Sequence, residues 1–147
     1  MTTSVRQVLA SKGSAVFSIS PQTNVSEALD VMTAKNVGSV VVASGDRLVG
    51  VFSERDYVRK VRPCADVKAD TPVEDLMTCN VLTVSPTQTV EDCMNLMTDN
   101  RVRHLPVVEH GKLVGVISIG DVVKAVIAEQ QSTIQQLSSY IAGDLSA

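Results

Sequence analysis

Two short stretches carry the residues best suited to chemistry. Ser53-Glu54-Arg55-Asp56 ends the apolar run Leu48-Val49-Gly50-Val51-Phe52, and Ser118-Ile119-Gly120-Asp121 ends Leu113-Val114-Gly115-Val116-Ile117. The second copy trails the first by 65 positions without a gap, 118 against 53. An ionised carboxylate has two accepting oxygens and nothing to donate, which suits the two adjacent hydroxyls of a sugar. Hydrogen bonds to such a charged acceptor contribute about 1.5–3 kcal/mol each, against about 0.5–1.5 kcal/mol for neutral pairs. Arg55, and Arg103 ahead of the second copy, could fork onto phosphate oxygens. The plainer reading of Ser-x-x-Asp is a helix capping box and nothing more. One residue can serve both roles, capping when no ligand is held.

Other chemistry finds less footing. The histidines are His104 and His110, and no pattern sets a nucleophile beside either. No phosphate loop ending in Lys-Ser/Thr occurs, nor a Gly-x-Gly-x-x-Gly. Neither a catalytic residue nor a metal site is therefore expected. Cys64, Cys79 and Cys93 are odd in number and lack metal-ligand spacing, so reduced thiols in a cytoplasmic protein are expected. A redox role for Cys64, in a polar linker, is the alternative. A net charge of −3, from 13 basic and 16 acidic side chains, argues against nucleic acid as a partner. The aromatics (Phe17, Phe52, Tyr57 and Tyr140) are too few for a base-stacking platform. Apolar runs fall short of the ~20 residues a membrane span needs. The start, to Phe17, shows no basic stretch leading into an apolar core, so no secretory signal is expected.

The elements that must position these residues also come twice. Val16 to Pro21 and Val81 to Pro86 read as short strands stopped by proline. Asn24-Val25-Ser26-Glu27 and Thr89-Val90-Glu91-Asp92 read as helix starts. Behind them Val25, Ala28, Leu29 and Met32, or Val90, Cys93, Met94 and Met97, make one apolar stripe each. Residues 39–43 and 105–108 read as strands, joined through Gly-bearing turns to the Leu-Val-Gly-Val runs. These runs do not alternate, so both sheet faces are expected to be covered. Ahead of the two copies, Ser4-Val5-Arg6-Gln7 and Thr71-Pro72-Val73-Glu74 read as matched capped helix starts, with Pro72 at the first helical position. One copy alone would bury too little core, so the pair must pack together. Beyond Val126, Ile127, Ile134, Leu137 and Ile141 continue at helical spacing. The helix predicted over about 119–142 is too long for so small a module to cover, and suits a partner subunit, with packing on its own chain the alternative.

The pattern resembles a tandem pair of CBS domains, the unit called a Bateman module. The resemblance spans nearly the whole chain. It rests on the doubled Gly-Val-x-Ser-x-x-Asp junction, the repeated element order and Arg103-His104-Leu105-Pro106-Val107. It implies an α+β fold of two pseudo-twofold β-α-β-β-α repeats packed sheet to sheet, with an extended C-terminal helix. Repeat 1 would take residues 1–66, repeat 2 residues 67–128, and the helical extension 129–147. It implies two clefts that bind adenosine-containing ligands, AMP first, then NAD(H), ATP or ADP, and S-adenosylmethionine. Ser53 and Asp56, and Ser118 and Asp121, would hold ribose hydroxyls. Arg103 would touch phosphate, with Gly38 standing in its place in the first copy and unable to serve. Arg55 has Gly120 as its counterpart, so the two sites would be unequal in charge. Adenine would lie near Ile19 and Val37, or Val84 and Val102, with Thr83, His104 and Pro106 completing the ligand-binding set. The implied protein is a non-catalytic homodimeric sensor in signal transduction, whose ligand biases the angle between the halves for an unknown regulated partner. The alternative is a ligand-free structural module for dimerisation or protein interaction.

Overall fold

The structure, a computed structural model, describes residues 2–13, 16–61 and 68–146. Cys64 and the repeat boundary at 66 lie outside the described residues. In chain order the elements are α1 (Val5–Lys12), β1 (Ser18–Ile19), α2 (Val25–Lys35), β2 (Ser39–Ser44), β3 (Arg47–Ser53) and α3 (Glu54–Asp56). A π-helical turn, Tyr57–Val61, extends α3, and a 3-10 turn, Val73–Asp75, opens the second half. Then come α4 (Val90–Asn100), β4 (His104–Glu109), β5 (Lys112–Ser118) and α5 (Ile119–Ser146). The fold is α+β, and the helix expected to end near 142 continues to 146. At 28 residues it is about 42 Å long at about 1.5 Å per residue.

The helix starts follow the sequence. Asn24 Oδ1 accepts from the Glu27 N–H at 2.8 Å, and Thr89 and Asp92 form a reciprocal capping box. Both α2 and α4 stop on a left-handed residue at φ 54°, Asn36 and Arg101, which occupy the same place in the two copies. The apolar stripes bury Val25, Ala28 and Met32 of α2 and Val90, Cys93 and Met97 of α4. Met94 departs from the expected stripe and is exposed.

The strands differ between copies for a physical reason. In the first, β1 pairs parallel with β2 through Ser18↔Val41 and Ile19↔Val42, and β2 pairs antiparallel with β3. In the second, β4 and β5 form a two-stranded sheet, and the strand expected at 81–86 shrinks to the single bridge Val84↔Val107. The Val84 N–H donates to the Pro106 carbonyl at 3.0 Å. The preceding pair in that register would need an N–H from Pro106, which proline lacks. Val41 fills that place in the first copy and donates normally. β2 buries Val40, Val41, Val42 and Ala43 in succession, so both its faces are covered, as the unbroken apolar run requires.

Two compact units result among the described residues. One gathers positions 15–83 and 108–114, the other positions 1–14, 84–107 and 115–147. Each unit therefore takes the lead-in segment of the opposite copy. In the first, the Val25 N–H donates to Thr71 O at 2.9 Å, Val73 N–H to Thr23 O at 2.8 Å and Glu74 N–H to Pro21 O at 3.2 Å. In the second, Val5 N–H donates to Gln88 O at 2.8 Å, Arg6 N–H to Pro86 O at 2.9 Å and Val90 N–H to Thr3 O at 2.9 Å. Val5 and Val73, each fully buried, plug equivalent places. The lead-ins thus align at an offset of 68, 73 against 5, and the expected match of Ser4 with Thr71 is corrected. Among the described residues Thr71 caps no helix: its hydroxyl accepts from the Lys68 N–H at 3.0 Å, and Pro72 is the residue ahead of the 3-10 turn, with no side-chain cap. Val73 and Leu76 join Ile19, Val25, Ala28, Met32, Val40, Val42 and Phe52 in the first unit's core. Val5, Val8, Leu9, Leu105, Val107, Ile117 and Val122 are buried in the second.

Candidate functional site

Each Ser-x-x-Asp junction is built on one backbone link. The N–H after the serine donates to the carbonyl of the residue that opens the preceding strand region. That is Glu54 N–H to Gly38 O at 3.0 Å in one unit and Ile119 N–H to Arg103 O at 2.8 Å in the other. The link sets Gly38 beside Ser53 and Asp56, and Arg103 beside Ser118 and Asp121. Glu54 stands next to Gly38, where a Cβ would make an ordinary contact of 3.7 Å with Glu54 Oε2.

Both junctions are capping boxes. The Asp56 N–H donates to Ser53 Oγ at 3.1 Å, and Asp56 Oδ2 accepts from the Ser53 N–H and hydroxyl at 3.0 Å each. The Asp121 N–H donates to Ser118 Oγ at 3.2 Å, and Asp121 Oδ2 accepts from the Ser118 N–H at 2.9 Å. The cap does not exhaust either carboxylate, and each receives a further side chain from a lead-in. Thr78 Oγ1 donates to Asp56 Oδ1 at 3.0 Å, with Lys60 Nζ 3.6 Å from the same oxygen. Lys12 Nζ donates to Asp121 Oδ2 at 2.6 Å and to the Val116 carbonyl at 2.8 Å. Among the described residues nothing donates to Asp121 Oδ1, whose side chain keeps 20% of its surface accessible.

The glycines of the Leu-Val-Gly-Val runs make these approaches possible. A Cβ on Gly115 would meet Leu9 Cδ2 at 2.6 Å, and one on Gly50 would meet Met77 Sδ at 2.7 Å and the Thr78 carbonyl oxygen at 2.9 Å. Only a residue without a side chain lets the lead-in lie that close to the strand. Thr78 then bridges Val51 antiparallel, with N–H···O distances of 3.0 and 2.9 Å, which fixes its hydroxyl over Asp56.

The electrostatics follow the contacts. Burial alone would raise the Asp121 carboxyl, but the Lys12 ammonium and the two Ser118 bonds outweigh it and hold the group below the ordinary value of 3.8. His104 is lowered from 6.5, first by desolvation of its ring and then by the Lys12 and Arg103 charges, with Asp121 opposing. The imidazole is therefore neutral at pH 7 and lies within electrostatic range of all three charged groups.

The first unit holds Ile19, Val37, Gly38, Ser53, Arg55, Asp56 and Thr83 of the expected residues, and the second holds Val84, Arg103, His104, Pro106, Ser118 and Asp121. Ile19, Val84 and Pro106 are buried, Val37 and Val102 half-buried, and Thr83, Arg55, Arg103 and His104 exposed. Sequence reasoning missed Lys12, Thr78, Lys60 and Glu54. The repeat gives no signal for the two lead-in residues: at the 68-residue offset Lys12 falls opposite Asn80 and Thr78 opposite Ala10.

The geometry is matched by kinship. The CBS-domain pattern covers residues 5–63 and 73–128. The chain belongs to the CBS-domain family. The mitochondrial CBS domain-containing protein CBSX3 of Arabidopsis thaliana is 39% identical over 151 residues, spanning 97% of this chain and 73% of that relative. A solved CBS-domain protein from Burkholderia ambifaria is 45% identical with a TM-score of 0.76, covering 87% of this chain and 96% of its own. CBSX2, solved in complex with AMP, is 30% identical with a TM-score of 0.68, covering 88% of this chain and 94% of its own. The CBS pair here therefore belongs to a class with an AMP-bound member. No described helix is long and apolar enough to cross a membrane.

Proposed function

We propose that this protein is a non-catalytic, cytoplasmic sensor of adenine nucleotides, with AMP the first ligand to try and NAD(H), ATP or ADP and S-adenosylmethionine after it. The observation that carries the reading is the Asp121 carboxylate. It is held ionised by Lys12 and Ser118, and its Oδ1 is left to accept from a ribose hydroxyl. Asp56 offers the same group in the first unit. Its caps and Thr78 occupy three of the roughly four lone-pair positions a carboxylate presents. A neutral hydroxyl there is readily exchanged for a ribose hydroxyl. The AMP complex of CBSX2 supports the ligand class. Binding would shift the population of states that a regulated protein reads, and the response requires different affinity for those states.

A second copy of the chain is the proposed partner of α5. Ile127, Ile134, Leu137 and Ile141 stand 49–61% exposed along it. The same stripe favours the second reading, a structural dimerisation or interaction module that holds no ligand. Titration calorimetry with AMP, ATP, NAD, NADH and S-adenosylmethionine separates the two. Heat with at least one, lost in the Asp56→Ala, Asp121→Ala double variant, supports the sensor. Silence for all at millimolar ligand leaves the structural module.

A further inference from the structure

The two junctions share a backbone and differ in charge. At the second, the Lys12 ammonium meets one carboxylate, Asp121, and Arg103 is tied to the junction through its carbonyl. At the first, Lys60 lies 3.6 Å from Asp56, and the junction also carries Glu54 and Arg55. Lys60 is further committed by its bond to the Leu76 carbonyl at 2.8 Å. Glu54 stands against Gly38, where the other unit has Arg103. The lead-ins sharpen the contrast, because a neutral hydroxyl from Thr78 meets Asp56 and an ammonium from Lys12 meets Asp121.

We propose that Lys12 is a specificity-determining residue that makes the Ser118–Asp121 junction select phosphorylated nucleosides over unphosphorylated ones, while the Ser53–Asp56 junction does not discriminate. This rests on the reading of the junctions as ribose sites. An ammonium has three donors. Among the described residues Lys12 spends one on Asp121 Oδ2 and one on the Val116 carbonyl, which leaves the third for an anion. A ribose on Asp121 Oδ1 would carry its phosphate into the neighbourhood of Lys12 and Arg103. There a charge-assisted pair forms without Lys12 leaving the carboxylate. An unphosphorylated nucleoside gains nothing from the third donor. At the first junction a phosphate would meet the Glu54 carboxylate, and like charges cancel what Arg55 offers.

Calorimetry of the full chain with AMP and with adenosine tests this one junction at a time. In the Asp56→Ala protein, which keeps the second junction, AMP should bind about ten- to a hundredfold more tightly than adenosine. In Asp121→Ala, which keeps the first, the two should agree within about threefold. Adding Lys12→Met to Asp56→Ala should weaken AMP far more than adenosine, so that the AMP preference collapses, and Lys12→Arg should restore it. A Lys12 that acted only through folding would weaken both ligands together. Equal affinities for AMP and adenosine in Asp56→Ala would overturn the proposal without any Lys12 variant. So would an AMP preference that survives Lys12→Met. Absence of heat for both ligands in the unaltered protein would instead strike the ribose reading itself.

Discussion

Alanine at Gly50 probes how tightly the lead-in is held against the junction strand. The added Cβ would lie 2.7 Å from Met77 Sδ and 2.9 Å from the Thr78 carbonyl oxygen. The sulfur is the end of a flexible side chain and can swing aside. The carbonyl is backbone, fixed by its reciprocal bonds with Val51 at 3.0 and 2.9 Å, and retreats only if that bridge opens. Overpacking a well-packed site costs about 1–3 kcal/mol. Each backbone bond lost adds about 0.5–1.5 kcal/mol, and the stiffer unfolded chain returns about 0.4–1 kcal/mol. Gly50→Ala should therefore lose about 2–3 kcal/mol, read as a fall in the urea midpoint at unchanged slope. For a chain of this size each kcal/mol corresponds to about 2–4 °C in melting temperature. Gly115→Ala should cost less, because both obstacles there are Leu9 methyls at 2.6 and 2.9 Å. Thr78 carries the hydroxyl that a ribose would displace from Asp56, so Gly50→Ala should also ease ligand binding at the first junction and leave the second unchanged. Adding Met77→Ala should recover only part of the stability. Full recovery, or native stability in Gly50→Ala itself, would refute the close approach of the Thr78 backbone.

Asp121 and His104 of the second unit should both make stability respond to acid. The lowered Asp121 carboxyl contributes stability above its unfolded value of 3.8, and this is lost as pH falls through the folded value; Lys12→Met should flatten that loss in pH-dependent unfolding. The lowered His104 resists protonation in the fold, so stability should begin to fall as pH drops below about 6.5, and His104→Asn should remove that slope. Buried Cys93, its thiol pushed up to about 11, should stay inert to a thiol reagent at pH 8 until the protein unfolds, whereas exposed Cys79 should react at once. Truncation after Ala128 should remove Ile134, Leu137 and Ile141 and give a monomer by sedimentation, with nucleotide affinity retained.

Much of the architecture could be read from residue order because the pattern is written twice. The caps at Asn24 and Thr89, the Gly-bearing turns and the paired apolar runs are local signals, and the structure uses them as expected. The short first strand of the second copy was not legible, since its loss depends on one missing N–H at Pro106, across the sheet. The exchange of lead-ins was hidden for a different reason. Val5 and Val73 are equivalent only in space, and the segments that carry them run at a different offset from the copies they precede. Lys12 and Thr78 reach the junctions through that exchange. The carboxylates were visible in the sequence, but the side chains that bond to them were not.

The proposed function stands on the junction carboxylates holding a ribose. The most direct test is a crystal structure grown with millimolar AMP. Ribose hydroxyls should lie within about 3 Å of the Asp56 or Asp121 carboxylate. AMP bound with its sugar remote from both aspartates would contradict it.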